Sequence, residues 1–181
     1  MTTEESLIES LKRHERGAQR LFYDRSVRYA TAVAMRYVAD NEAVRDILQD
    51  CYVKIFMQFD RFEYRGEKSL KRWVCRIVSN ECITYLRTAG RLSFTHDMPD
   101  VAEDAETDIE RVPRDVLYGM IRKLPTGYRT VLNLYVFDQM DHKQIGEKLG
   151  ISRYTSASQY LRAKSLLSKM IKKYKQQHET E

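Results

Sequence analysis

Glycine and proline are scarce in this 181-residue chain, at 7 and 3. So few chain breakers, with apolar residues recurring at helical rather than alternating spacing, exclude sheet architectures rich in turns and predict an all-α protein. No apolar run approaches the roughly 20 residues that a membrane span needs, so no direct membrane insertion is expected. The opening Met-Thr-Thr-Glu-Glu-Ser has no apolar core. No secretory signal is expected, and the cytoplasm is the expected compartment. Cysteine is few and odd in number: Cys51, Cys75 and Cys82, with no CxxC pair. Inside helical patterns they read as small apolar residues of a reducing compartment, not as a disulfide framework or a zinc site. The four histidines, His14, His96, His142 and His178, are scattered. None has a metal-ligand or nucleophile–base spacing, so no metal, cofactor or catalytic residue is expected.

Charge is plentiful and unevenly placed. Residues 97–110 hold seven acidic side chains and no basic one; with a net charge of +5, the rest of the chain carries +12. A basic body with an acidic strap points to a polyanionic partner, most simply nucleic acid.

The longer stretch over residues 91–115, which contains this acidic run, also breaks the helical periodicity and holds two of the three prolines. It divides the chain into two small helical domains, residues 6–90 and 112–175, joined by an acidic flexible linker at 91–111. In the first domain, residues 6–13 form a short helix. The next segment puts Leu21, Val27 or Tyr29, Val33 and Tyr37 near one face. Asp40 or Asn41 caps a helix with an apolar stripe of Val44, Leu48, Cys51, Ile55 and Phe59. Ser69 is the expected cap of a helix over 70–87. In the second domain, Pro113 suits a first helical turn, and Pro125 ends one helix and opens another.

Three stretches carry functional signals. "DHKQIGEKLGISRYTSASQYLRAK", residues 141–164, reads as a helix–turn–helix. Ile145 and Leu149 give its first helix an inner face, Gly150 supplies a left-handed stop, and Ser152 caps the second helix. Tyr160, Ala163 and Leu167 share the inward face of that second helix. Arg153, Thr155, Ser158, Gln159, Arg162 and Lys164 are then expected outward, with chemistry suited to base edges and phosphates. The run Lys169, Lys172, Lys173 and Lys175 adds a salt-sensitive attraction. "SLKRWVCRIVSNECITYLR", residues 69–87, lines up Arg72, Arg76 and Asn80 at i, i+4, i+8, with Arg87 beyond, Lys71 beside and the chain's one tryptophan, Trp73, at the border. Such a face suits single-stranded or distorted DNA, with Trp73 either stacking on a base or packed in the core. "VRDILQDCYVKIFMQF", residues 44–59, sets Asp46, Gln49, Asp50, Val53 and Lys54 opposite its apolar stripe. That mixed acidic and apolar surface suits a protein partner, or a solvated helix face.

In this order these stretches resemble a bacterial sigma-70 family RNA polymerase sigma factor of the extracytoplasmic-function group. "RDILQDCYVKIFMQFDRF" is similar to the family's core-binding helix, "GEKSLKRWVCRIVSNECITYLR" to the helix that melts and reads the minus-ten element, and "KLPTGYRTVLNLYVFDQMDHKQIGEKLGIS" with "TSASQYLRAKSLL" to the domain that reads the minus-thirty-five element. The resemblance implies a non-enzymatic subunit that directs core RNA polymerase to promoters. It assigns Asp46, Gln49 and Asp50, with Val53 and Lys54 on the same face, to the clamp of the large polymerase subunit. It assigns Trp73, Arg76 and Asn80 to strand opening, with Lys71, Arg72 and Arg87 on the same surface, and residues 62–69 to the pocket of a flipped base. Core polymerase and promoter DNA are the implied partners, and an anti-sigma factor is a candidate one. Arg153 and Tyr154 stand where many relatives carry an acidic residue and a glycine, and face groove or phosphate. Tyr160 stands where leucine is usual.

Two other classes compete. A stand-alone helix–turn–helix regulator would bind an operator without polymerase, as a dimer on a palindrome; the chain has no heptad segment and the first domain would be left without a role. A nucleic-acid-modifying enzyme would need a carboxylate cluster or a His/Cys site, and the carboxylates gather in the linker and on one helix face.

Overall fold

A computed structural model describes residues 3–94 and 112–178, and among them the chain is all-α. The order is α1 Thr3–Lys12, α2 Arg16–Tyr37, α3 Asn41–Gln58, a 3-10 turn Phe59–Arg61, α4 Ser69–Thr88, α5 Arg114–Lys123, α6 Thr126–Val136, α7 His142–Leu149 and α8 Arg153–His178. The chain divides into two compact units, Met1–Tyr85 and Leu86–Glu181. Most of the acidic segment expected as a linker, residues 95–111, lies outside the described residues.

In the first unit, α3 and the 3-10 turn that follows bury Val44, Leu48, Cys51, Ile55 and Phe59, the stripe the spacing predicts. Asp40 caps it: its carboxylate accepts from the backbone N–H of Glu42 at 2.9 Å and of Ala43 at 3.4 Å. The inward face of α2 differs from the expected one. Leu21 is exposed, and the buried stripe runs through Ala18, Phe22, Ser26, Ala30, Val33 and Tyr37. Small residues at 18, 26 and 30 let α2 lie close to its neighbours, and a stripe of small residues carries little apolar signal. The buried Ser26 hydroxyl meets the Tyr52 hydroxyl at 2.7 Å, joining α2 to α3. Edge-to-face aromatic contacts then cross the unit. Phe22 meets Phe59 at 5.9 Å, and Phe59 meets Trp73 of α4 at 5.6 Å. Phe62 closes on Trp73 at 5.0 Å. Ser69 is the first residue of α4 rather than the residue before it, and its hydroxyl accepts from Arg65 N–H at 3.3 Å. Cys51 and Cys82 are fully buried and Cys75 partly so, all as free thiols; burial pushes the Cys51 thiol up to about 12.

In the second unit, α5, α6 and α8 share a core of Met120, Ile121, Leu124, Leu132, Ala163, Leu167 and Ile171. Arg129 is buried, and its Nη1 donates to the carbonyl oxygens of Arg122 at 2.6 Å and Leu124 at 3.3 Å. It thereby ties α6 to the carbonyl end of α5 across the Pro125 corner. Asp141 and Gln144 form a reciprocal capping box that starts α7. Gly150 ends it at φ 71°, in the left-handed region. Gly146 is required for a different reason: a Cβ there would stand 2.7 Å from the Ile151 carbonyl oxygen. Ser152 starts α8, accepting from Thr155 N–H at 2.9 Å. The His142 ring stacks on Tyr135 at 4.7 Å, and its Nδ1 lies 3.0 Å from the Ser156 hydroxyl.

Trp73 makes the first unit separately observable. Asp40→Ala removes the α3 cap and is expected to lower that unit's stability by about 1 kcal/mol, read as an earlier melt of tryptophan fluorescence. An unchanged melt would show that the cap contributes nothing. In the second unit, burial holds the His142 pKa below its ordinary value; Asp141 opposes the shift and Arg153 adds to it. The folded unit therefore binds fewer protons here than the unfolded chain. This contribution is present above the ordinary value of 6.5 and is lost as pH falls through the lowered one. Helix content followed in urea is expected to show the second unit weakening from pH 7.5 to 5.5. His142→Phe, which keeps a ring on Tyr135, should flatten that dependence.

Candidate nucleic-acid and protein-docking surfaces

The buried stripe of α3 fixes what its opposite side presents. Asp46, Gln49, Asp50 and Val53 all stand in solvent, and Val53 is 54% exposed. Lys54 is exposed too, but its ammonium is 2.6 Å from Glu81 of α4, and that hydrogen bond raises its pKa. Such a surface pair contributes about 0–1 kcal/mol; its effect is to orient Lys54 toward α4. Met57, 79% exposed, extends the row one turn further. Sequence reasoning missed it, because its position sits beyond the acidic cluster that drew attention to the face. Beside this row a groove of about 770 Å³ opens between α2 and α3, lined by Tyr23, Val27, Met35, Val44, Gln49 and Val53 among others.

On α4 the apolar stripe is Leu70, Val74, Val78 and Cys82. Lys71, Arg72, Arg76 and Arg87 are therefore exposed, with Asn80 half-buried at the edge. Lys71 Nζ lies 5.3 Å from the Tyr29 ring centroid, a cation–π contact to α2. Of the two readings of Trp73, the packed one describes its ring: it is half-buried between Phe59 and Phe62. The ring braces α4 against the turn after α3. The loop before α4 bends through positive φ at Gly66 (88°) and Lys68 (66°), leaving Arg65, Glu67 and Lys68 exposed.

On α8 the structure corrects one expected orientation. Gln159 is fully buried, in a stripe with Ser156, Ala163, Leu167 and Ile171. Tyr160, expected inward, is only half-buried, at the rim against Tyr135 at 4.4 Å. The helix is thus rotated from the expected phase, because the sequence reading anchored it on large Tyr160 rather than on small Ser156 and Ala163. Arg153, Tyr154 and Lys164 face solvent, and Ser158 is half-buried. The Thr155 hydroxyl is engaged at the cap, 2.9 Å from that of Ser152. Arg162 is half-buried and donates to the Tyr128 hydroxyl at 3.1 Å. Leu161, 44% exposed, joins the outward row and was not among the expected residues. The lysine run continues α8 as helix rather than as a trailing tail, with Lys169, Lys172 and Lys173 exposed.

Among the described residues no group of His, Cys, Asp and Glu is placed to hold a metal ion, and no helix is long and apolar enough to cross a membrane. Known proteins show the same two-part plan. The family model described as Sigma-70 region 2 matches residues 22–92, and that described as Sigma-70, region 4 matches residues 114–167. The RNA polymerase sigma-H factor of Pseudomonas aeruginosa is 26% identical over 190 residues, covering 94% of this chain and 96% of that protein. The ECF RNA polymerase sigma factor SigW of Bacillus subtilis is 25% identical over 153 residues, covering 76% and 80%. A solved structure of CnrH in complex with the cytosolic domain of CnrY shares the fold at a TM-score of 0.50 and 19% identity, over 92% of this chain and 95% of that one. An exposed acidic and apolar helix row, a basic helix beside it and a separate helix–turn–helix thus fall within the two matched regions, and the chain belongs to the sigma-70 family of RNA polymerase sigma factors, in its extracytoplasmic-function group.

Proposed function

We propose a division of labour within this sigma factor. The first unit docks core RNA polymerase through Asp46, Gln49, Asp50 and Val53, with Lys54 at the margin, and presents α4 to the minus-ten element. There Lys71, Arg72, Arg76 and Arg87 follow the phosphates, Asn80 meets the opened strand and the loop over residues 62–69 receives a flipped base. Trp73 acts from behind, by holding α4 and that loop together. The second unit reads the duplex minus-thirty-five element through Arg153, Tyr154, Ser158 and Lys164, with Thr155 and Arg162 supporting, and without Gln159. The chain has no catalytic part in this scheme: opening is driven by trapping unpaired bases. Its place is the cytoplasm, beside core polymerase and promoter DNA. An anti-sigma partner belongs to the proposal on the family resemblance alone.

One observation carries the reading. In the first unit a single pair of packed helices shows an acidic and apolar row on α3 and a cationic row on α4. Two surfaces of opposite chemistry on one small body fit two different partners, one protein and one nucleic acid.

Two experiments test it. Asp46→Lys with Asp50→Lys is expected to weaken the complex with purified bacterial core polymerase at least tenfold, about 1.4 kcal/mol, by gel filtration or fluorescence titration; an unweakened complex would remove α3 from the interface. Asn80→Ala is expected to lower permanganate reactivity of the minus-ten region on duplex promoter far more than on a pre-melted one. Equal loss on both would leave room for base reading by Asn80 but end a role confined to melting.

A further inference from the structure

The buried position of Gln159 changes what the recognition helix can read. A·T pairs are recognised in the major groove in two main ways: an Asn or Gln amide bidentate to adenine, or an apolar contact to the thymine methyl. Gln159 is the one amide side chain in the first three turns of α8, and it faces the core. The amide route is closed along the part of the helix whose N-terminal residues meet base edges. The same turns instead present an outward apolar row. Tyr154 is 76% exposed, Ala157 is half-buried and Leu161 is 44% exposed, at i, i+3 and i+7 on one face.

A single exposed leucine needs no explanation. This one lies inside a cationic frame. Arg153 precedes the row, its guanidinium carbon 5.5 Å from the Tyr154 ring centroid, and Lys164 follows it at the next turn, 5.9 Å from the Tyr160 ring centroid. The flanking charges suit phosphates, and between them the strip offers only the Tyr154 and Ser158 hydroxyls as donors or acceptors, while Ala157 and Leu161 offer none. An apolar strip framed by cations fits DNA better than it fits a protein groove, and the apolar feature DNA offers in its major groove is the thymine methyl.

We infer that Leu161, with Ala157 beside it, is a specificity-determining residue that reads the C5-methyl group of thymine in the upstream promoter element. The inference rests on the proposed reading of the second unit as a duplex reader. The preference it gives is for an A·T pair seen from the thymine strand.

The test uses holoenzyme reconstituted from the full chain and bacterial core polymerase, with promoter fragments selected by that holoenzyme from a randomised pool. Each thymidine of the upstream element, on either strand, is replaced in turn by deoxyuridine, which removes the methyl group alone. At one or two positions wild-type affinity is expected to fall about fourfold, the equivalent of one buried methyl group at about 0.8 kcal/mol. In Leu161→Ala holoenzyme the same substitution should have no effect. Leu161 is exposed, so this variant is expected to fold; a circular dichroism melt of the free protein confirms it. Deoxyuridine without effect at every position overturns the inference, as does an equal effect in both proteins or a selected element lacking A·T pairs. In each of these cases the duplex-reader reading survives, because an element was still selected. Failure to select any upstream element removes that reading and the inference together.

Discussion

The wedge of Trp73 between Phe59 and Phe62 is the contact that ties the functional faces proposed for the first unit to one another. It joins the end of α3, the loop that follows and α4 in one aromatic cluster. The acidic and apolar row on α3 and the cationic row on α4 are therefore carried by elements joined through one aromatic cluster. A tryptophan on a basic helix invites the idea of a wedge between bases. Here its ring area is already committed to phenylalanine, and edge-to-face pairs of this kind contribute about 0.5–1.5 kcal/mol beyond their burial. It holds the loop over residues 62–69 against the helix that carries Asn80, and under the proposed function its influence on DNA runs through that positioning. The Lys54–Glu81 pair crosses between the same two helices on the solvent side, and adds orientation more than stability.

The second unit has a corresponding constraint in the phase of α8. Ser156, Gln159 and Ala163 face inward because α6 and α7 approach closely there. That approach depends on small groups: Gly146 leaves room for the Ile151 carbonyl, and Gly150 turns the chain in the left-handed region. Ser156 then lies within reach of the His142 ring. Once this tight side is fixed, the opposite side of the helix is determined as well. Arg153, Tyr154, Ala157, Leu161 and Lys164 have nowhere to go but outward, and the amide of Gln159 is withdrawn from the set of possible readers.

Legibility in the sequence followed side-chain size. The α3 stripe was readable because Val44, Leu48, Ile55 and Phe59 are large and regularly spaced, and the Asp40 cap, the Gly150 stop and the Ser152 cap were readable from local chemistry. The rows opposite those stripes followed at once, which is why the acidic face of α3 and the cationic face of α4 could be named. The failures have one cause. On α2 and α8 the tight interface is lined by Ala18, Ser26, Ala30, Ser156 and Ala163. Small residues score as neutral in any hydrophobic pattern, so the large half-exposed residues nearby, Leu21 and Tyr160, misled the phase. A rule that placed small residues at the closest helix crossings would have turned Gln159 inward and brought Leu161 out.

The surfaces that result are individually weak, and that weakness has a consequence for how a subunit of this kind discriminates. On the proposed reading, a row of one or two apolar contacts framed by cations stands at the low end of the about 1–3 kcal/mol that a mismatched base pair costs. The exposed row on α3 offers few apolar atoms besides Val53 and Met57. Two such units on one chain, held on one polymerase, convert the second encounter into an intramolecular one, with an effective concentration in place of a free one. Discrimination then multiplies across the two elements while each contact stays weak enough to release. A stronger recognition helix would bind isolated upstream elements without polymerase and lose that conjunction, so half-buried Ser158, the occupied Thr155 hydroxyl and the inward Gln159 are consistent with a reader whose affinity is held low and whose specificity is completed by its partner.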